Sequence, residues 1–335
     1  MRCLAVLARR ALCTGQVDMS TAKGYQLDQS PLYKLESKRK LAKLLFWDLS
    51  RLQALANRTD NYRSKKTMHA NKERSLEVPK PALENVQRRI YQLLDRIEKP
   101  DYLHSGRKQR SYITNAQVHA GAVWLIKLDI KKFYAAVSSA RVYRFFQDVM
   151  RCSPDVASLL AKLCTARGHL AIGSRVSQLL AFFSAKPMFD ELHARALEYS
   201  IKDTYYVDDL TWSGTRATAG FLWEVKKIVH RHGFEYHRAR LYAPNNPKLV
   251  TGVQIIGDRI AVPPYRDREL WDAIRTLKKP SACTTLKVAE TLLSKAAAYA
   301  QVEDRFQLQV RQLRALRASM KLTASTDHID GPQGV

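Results

Sequence analysis

The stretch YYVDDLTWSG at 205–214 sets two adjacent carboxylates, Asp208 and Asp209, between flanks suited to a β-strand. Tyr205, Tyr206, Val207, Leu210 and Trp212 are aromatic or branched residues that fit a pleated, half-buried surface. A carboxylate in such surroundings is costly unless a cation or hydrogen-bond donors meet it. The pair therefore either caps an ordinary hairpin turn, where Asp is common, or holds a cation. Successive strand residues point to opposite faces, so both carboxylates converge only if the turn twists them. On that reading Tyr206 and Asp208 share a face, Asp208 is the stronger ligand and Asp209 assists it.

A third carboxylate decides between turn and cation. VWLIKLDI at 123–130 alternates as a strand, with Trp124, Ile126, Leu128 and Ile130 on one face and Lys127 and Asp129 on the other. A strand bearing Asp129 beside a hairpin bearing Asp208 would give a hard cation the oxygen ligands it prefers. Phosphoryl-transfer enzymes commonly hold two such ions roughly 3.5–4 Å apart. Mg²⁺ is the expected ion, with Mn²⁺ as a substitute.

The charge balance points to the partner. The chain has 56 Lys and Arg against 31 Asp and Glu, a formal net charge of +25 over 335 residues. Such an excess predicts a polyanion, and its spread along the whole chain favours nucleic acid over a lipid surface. No apolar run is long enough to span a bilayer. Cys3, Cys13, Cys152, Cys164 and Cys283 are odd in number and widely spaced, without a C-x-x-C pair. This argues against a disulfide framework or zinc site and for a reducing, cytoplasmic compartment. His230, His232 and His237 lack a Cys or carboxylate at ligand spacing and read as a solvated cluster. The first 18 residues are Arg-rich and nearly acid-free, as in an organelle transit peptide; the reading preferred is a disordered tail, or a start upstream of the true one at Met19.

Periodicity organises the rest. A basic helix is expected over 34–45, a polar loop over 57–72, and an amphipathic helix over 81–98 with Pro81 in its first turn. Further helices are expected at 139–150, 153–166, 174–199 (kinked or split at Pro187) and 218–232. Gly257-Asp258 marks a hairpin within 249–262. After Pro263-Pro264 only helices follow, at 266–278, 285–300 and 304–321.

Taken together, these segments carry a resemblance. YVDD in a hairpin resembles the signature of reverse transcriptases. LDIKKFY at 128–134 resembles their first metal-binding motif, GSRVSQ at 173–178 their third motif, and KERSLEVPKPALENVQRRI at 72–90 the fingers segment of the bacterial enzymes. NAQVH at 115–119 and VTG at 250–252 resemble elements typical of retron reverse transcriptases. The motifs keep the family's order from about 72 to 265.

The resemblance implies an α+β right-hand polymerase. Its fingers and palm would occupy 31–265 and its helical thumb 266–322, with disordered tails at 1–30 and 323–335. Asp129, Asp208 and Asp209 match the metal triad, with the Ile130 carbonyl as an extra ligand. Tyr134 matches the ring that selects deoxynucleotides, and Arg74 the arginine that grips the triphosphate. Gly173 and Gln178 match positions supporting template and nucleotide. Asn115, His119, Val250, Thr251 and Gly252 are candidate RNA contacts; as ordinary structure they would be a turn Asn, a core His and a backbone twist. The implied reaction copies a cognate non-coding RNA, which serves as template and primer, from deoxynucleoside triphosphates into a branched RNA–DNA. The implied role is anti-phage defence with a separately encoded effector protein. Leu170-Ala171-Ile172 departs from the family's usual Leu-Pro-Gln, and His237 and Arg240 stand where relatives often have Asn and Lys, leaving Lys248 as a candidate substitute. Two readings compete: a defence-associated or group II intron-like reverse transcriptase outside the retron group, and an RNA-binding module without catalysis.

Overall fold

The carboxylates sit at one end of a four-stranded antiparallel sheet. In the computed structural model, residues 24–69, 72–277 and 286–326 are described. The N-terminal part holds α1 (Lys38–Leu44), α2 (Leu49–Asn57), β1 (Tyr62–His69), β2 (Lys72–Pro79), α3 (Pro81–Asp95) and α4 (Tyr112–Val118). The centre holds β3 (Leu125–Ile130), α5 (Phe133–Ala136), α6 (Ser139–Arg144), α7 (Pro154–Cys164), β4 (Thr165–Ala166), β5 (His169–Leu170) and α8 (Ser177–Glu198). Then come β6 (Lys202–Tyr206), β7 (Asp209–Ser213), α9 (Ala219–Arg231), β8 (Tyr236–Tyr242), β9 (Lys248–Val250), β10 (Val253–Ile256) and β11 (Arg259–Ala261). The chain closes with α10 (Pro264–Leu277), α11 (Leu286–Ala300) and α12 (Gln307–Thr326). The expected α+β architecture is the one the chain adopts.

The central sheet runs β6-β7-β3-β8, all antiparallel. One face buries Ile126, Leu128, Ile130, Leu210 and Trp212 against the helices. Phe189 of α8 stacks on Tyr205 with ring centroids 5.4 Å apart and meets Phe133 edge-on at 6.0 Å. It thereby braces both carboxylate-bearing segments from below. Pro187 neither splits nor ends α8, which runs unbroken for 22 residues; apolar packing on both sides of Pro187 offsets the lost backbone hydrogen bond. A separate apolar cluster joins Leu270, Ile274, Leu292, Ala296, Phe306 and Leu313 of the three last helices and their connections.

Two expectations are corrected. The polar stretch 57–72, expected as a loop, contains the first strand of a β-ribbon, β1–β2, paired from Tyr62↔Pro79 to His69↔Lys72. Its residues lack an apolar alternation because the ribbon stands largely exposed. Asn115 does not lie in a turn but inside α4, whose start is capped by Ser111 and Thr114 reciprocally. Of the cysteines, Cys152 and Cys164 are buried free thiols; Cys3, Cys13 and Cys283 lie outside the described residues. So do residues 1–23 and 327–335, most of the expected disordered tails, while 24–30 are ordered, with Tyr25 bridging to Ile97, and 323–326 belong to α12. Among the described residues no helix is long and apolar enough to cross a membrane.

The other face of the sheet is half covered. The small sheet β11-β10-β9 and α4 pack on it through Ala116, Leu125, Val250, Val253 and Ile255. His119, at the end of α4, closes this joint. Its Nδ1 lies 2.6 Å from Ser213 Oγ and its Nε2 2.8 Å from Thr204 Oγ1, with no exposed surface. Burial pushes its pKa down to about 3, and burial likewise lowers that of nearby His104 to about 4. Both values lie below the unfolded histidine value of 6.5. The stability held in these neutral rings is therefore full above pH 6.5 and is lost as the pH falls toward 3 or 4, by up to ~1.4 kcal/mol per pH unit for each. The urea midpoint of the protein is expected to fall between pH 7 and pH 4.5, and His119→Gln to flatten part of that fall. A midpoint constant over that range would refute the buried neutral assignment.

Candidate active site on the open end of the sheet

Register brings the carboxylates together. Residues directly opposite in an antiparallel pair share a face. Tyr206 pairs with Asp209, Asp209 with Asp129, and Asp129 with Arg238, which makes one row across four strands. The next row inward is Thr204, Thr211, Lys127 and Arg240. Helix α4 and the small sheet cover the rows beyond, so the carboxylate row stands at the uncovered end.

The hairpin between β6 and β7 has only Val207 and Asp208 in its loop. Val207 has φ +61° and Asp208 is not among the positive-φ residues, the pattern of a type II′ turn. That position favours glycine, and a β-branched residue there stores backbone strain of roughly 1–3 kcal/mol. The strain is held by two hydrogen bonds donated by backbone amides. Val207 N donates to Ser105 Oγ at 3.1 Å, and Ile130 N donates to Asp208 O at 2.9 Å. The 102–105 segment is itself tied to β6, with Tyr205 N donating to Tyr102 O and His104 N to Tyr205 O. The face expectation is corrected here: Asp209, not Asp208, shares a face with Tyr206. Asp208 belongs to the turn itself.

Asp129 sits on the central strand beside a bulge. The β3–β8 register shifts between Asp129 and Ile130, leaving His237 as the extra residue. Asp209 is the more enclosed acid. Its Oδ2 lies 2.8 Å from Lys127 Nζ, and its Oδ1 is buried without a hydrogen-bond partner. Burial pushes the Asp209 carboxyl above its ordinary value and Asp129 adds to this, against the pull of Lys127. Tyr134, on α5 just after β3, lies near Asp208; burial first, then the charge of Asp208, pushes its phenol up to about 12. The oxygen donors are of the kind a hard divalent ion takes, and the orphaned Asp209 Oδ1 fits such a guest. Among the described residues no group of three or more His, Cys, Asp or Glu side chains is placed to hold a metal ion, so the candidate site offers at most two such carboxylates at once together with backbone carbonyl oxygen.

The third motif packs at the side of this site. Gly173 has φ +119°, and a Cβ there would lie 3.1 Å from Glu77 O, so β2 approaches too closely for a side chain. Glu77 N donates to Ile172 O at 2.7 Å. Thus Ile172, in place of the usual Gln, holds the ribbon by its backbone and leaves its side chain exposed. Gln178 lies over Gly106, one residue from the Ser105 that supports the turn. Gln87 is a tie that sequence reading missed. It bonds Tyr62 Oη, Leu163 O and Ser174 Oγ from a fully enclosed position. Arg74 lies on β2 opposite Thr67; its side chain is outside the described residues.

The candidate RNA contacts divide differently. Asn115, His119 and Val250 have no exposed surface, so they build the joint between α4 and the sheets and do not face a nucleic acid. Thr251 Oγ1 donates to Tyr112 O at 2.7 Å and accepts from Asn115 Nδ2 at 3.4 Å. Gly252 has φ +82° and faces the Arg266 guanidinium, which would lie 2.8 Å from a Cβ. Arg266 in turn donates to Gly252 O, so the VTG turn anchors the first helix of the C-terminal cluster. Lys248 is also buried, donating to Pro244 O and Asn246 O, and is not available as a general acid.

No family model matches the chain. It is 34% identical over 165 residues to the Retron Se72 reverse transcriptase of Salmonella heidelberg (strain 579083-10), covering 48% of this chain and 42% of that protein. It is 31% identical over 207 residues to the Retron Mx65 reverse transcriptase of Myxococcus xanthus, covering 54% and 48%. It is 21% identical over 190 residues to the Retron Ec86 reverse transcriptase of Escherichia coli, covering 53% and 57%. The chain thus spans about half the length of the curated relatives it matches. Among solved structures, an apo telomerase from Candida Tropicalis aligns with a TM-score of 0.44 at 11% identity, over 61% of this chain and 55% of that one. A foamy viral protease-reverse transcriptase in complex with RNA/DNA hybrid aligns with a TM-score of 0.42 at 13% identity, over 77% and 30%. Likeness at that level does not constrain function. By sequence, the chain is similar over about half its length to retron reverse transcriptases.

Proposed function

We propose that the protein is an RNA-directed DNA polymerase of retron type. The observation that carries this reading is the Asp209–Asp129 row beside the Asp208 turn, in a chain similar to retron reverse transcriptases. Asp129, Asp208 and Asp209, with the Ile130 carbonyl, would hold two Mg²⁺ ions. When bound, such ions activate the attacking oxygen and stabilise the leaving oxygen of a phosphoryl transfer. The chain's own residues do the rest. The tied turn fixes Asp208 against the end of β3, and the apolar floor under the sheet keeps Asp129 and Asp209 in register. Tyr134 bounds the space beside Asp208, where a ring excludes a ribose 2′-hydroxyl. Arg74 would grip a triphosphate, as its resemblance implies, and Lys65 and Lys66, exposed on β1, add positive charge to the ribbon.

The net charge of +25 supports a nucleic-acid partner. Arg58, Lys162 and Arg167 line a cleft of about 740 Å³ between α2, α6 and α7, a further basic surface for a strand. In this reading the template is a cognate structured RNA that also primes synthesis from a 2′-hydroxyl, giving a branched RNA–DNA. Fingers and palm occupy 31–265 and a helical thumb 266–322. A separately encoded effector and a role in anti-phage defence complete the proposal.

Primer extension on an RNA template with Mg²⁺ tests the reaction. Asp208→Asn is expected to abolish synthesis, a loss of at least about 10³-fold for a group acting directly on transition-state charge, while RNA binding stays within about twofold. Full activity in that variant would sink the carboxylate assignment. Tyr134→Ala is expected to raise ribonucleotide incorporation relative to deoxynucleotide; an unchanged ratio would move the sugar gate elsewhere. RNA affinity should fall steeply as salt rises, because phosphate contacts release counterions, and a flat response would remove the basic surface from the account.

A further inference from the structure

The carboxylate row carries its own cation. Lys127 stands two residues before Asp129 on β3 and on the same face. Its direct cross-strand partner is Thr211, yet its ammonium does not stay in that row. It leans toward the turn, and Nζ lies 2.8 Å from Asp209 Oδ2, with the two side chains 20% and 22% exposed. Thr211, left behind, is fully buried, and its hydroxyl has no hydrogen-bond partner. Asp209 Oδ1 is likewise buried and unpartnered. One acceptor is therefore half satisfied, a second lies unsatisfied in the adjacent row, and one long flexible ammonium stem can serve either.

Like charges directly opposite in a sheet repel, and Asp129 and Asp209 are such a pair. A divalent ion between them would remove that repulsion and would also make the ammonium at Asp209 superfluous. We propose that Lys127 is a resident counter-cation of the site, neutralising Asp209 while no divalent ion is bound and withdrawing to Thr211 Oγ1 when one arrives. This rests on the carboxylate row being a divalent-ion site. Lys127 is then a positioning residue. It holds Asp209 in register through each cycle of ion and substrate exchange, and it sets the ion concentration at which the site fills.

Mn²⁺ binding to the full-length protein, followed by the electron paramagnetic resonance of the free ion, tests this without any turnover. Lys127→Met keeps length and removes charge. It is expected to bind Mn²⁺ about fivefold more tightly than the wild type, the size of effect for a partly exposed ion pair, and to melt at a lower temperature than the wild type in chelator. Saturating Mn²⁺ should close the gap in melting temperature. Thr211→Val, which removes the withdrawn position's acceptor without changing shape, should shift Mn²⁺ affinity the opposite way. Equal or weaker Mn²⁺ binding by Lys127→Met overturns the proposal while leaving the divalent-ion site intact. Absence of binding by wild type and both variants overturns the site reading itself, and the proposal with it.

Discussion

Two carboxylates side by side in one row of an antiparallel sheet are the constraint on which the rest of this structure depends. Asp129 and Asp209 face each other across β3 and β7, and like charges in that position oppose strand pairing. The fold keeps them there by supports on every other side. Apolar residues of the opposite face are locked into a helical floor, with Phe189 touching both Phe133 and Tyr205. The strained Val207 turn is pinned by Ser105 and by the ladder bond between Ile130 and Asp208. Strain that persists because its surroundings over-determine it is common where chemistry is done. Here it brings Asp208 within one residue of the row.

The partial cover on the polar face is the second condition. Helix α4 and the three-stranded sheet seal rows that carry Ser213, Thr204 and Leu125, and they stop short of the carboxylates. Asn115, His119 and Thr251 make that seal. Their importance is positional: they determine where the cover ends, and so where solvent and a substrate can reach the sheet. The same turn, through Gly252 and Arg266, fixes the first helix of the C-terminal cluster. A change at any of them would act on the open end through the geometry of the cover.

Much of this was legible in the sequence because it rests on local periodicity. The apolar stripe of α3, the alternation of β3 and the aromatic flanks of the DD pair each declare their element without outside help. What stayed hidden depends on register and pairing. The ribbon β1–β2 has too few apolar residues to announce a strand, and its stability comes from its partner. The short α4 opens on Ser111 with Thr114, a cap weaker in pattern than Ser with Glu. Most telling is the hairpin. Whether the loop holds Val207-Asp208 or Asp208-Asp209 is a shift of one residue, and such a shift flips every side chain to the other face. Reading Asp208 onto the face of Tyr206 was that slip, and it concealed the Lys127–Asp209 pair, which exists only in the true register.

The register also explains how an acidic row survives in a chain of net charge +25. A surface that attracts polyanions would be interrupted by bare carboxylates, and the carboxylates would repel the phosphates meant to approach them. In this sheet positive side chains share the face of the acids. Arg238 flanks Asp129 in its own row, Lys127 and Arg240 fill the row behind, and Lys127 closes on Asp209. The edge strand β8 thus supplies positive charge on one side and β3 adds Lys127 from within. Under the proposed function, a phosphate reaching the open end would meet acids already flanked by positive charge, and a divalent cation would have to take the place of the Lys127 ammonium at Asp209.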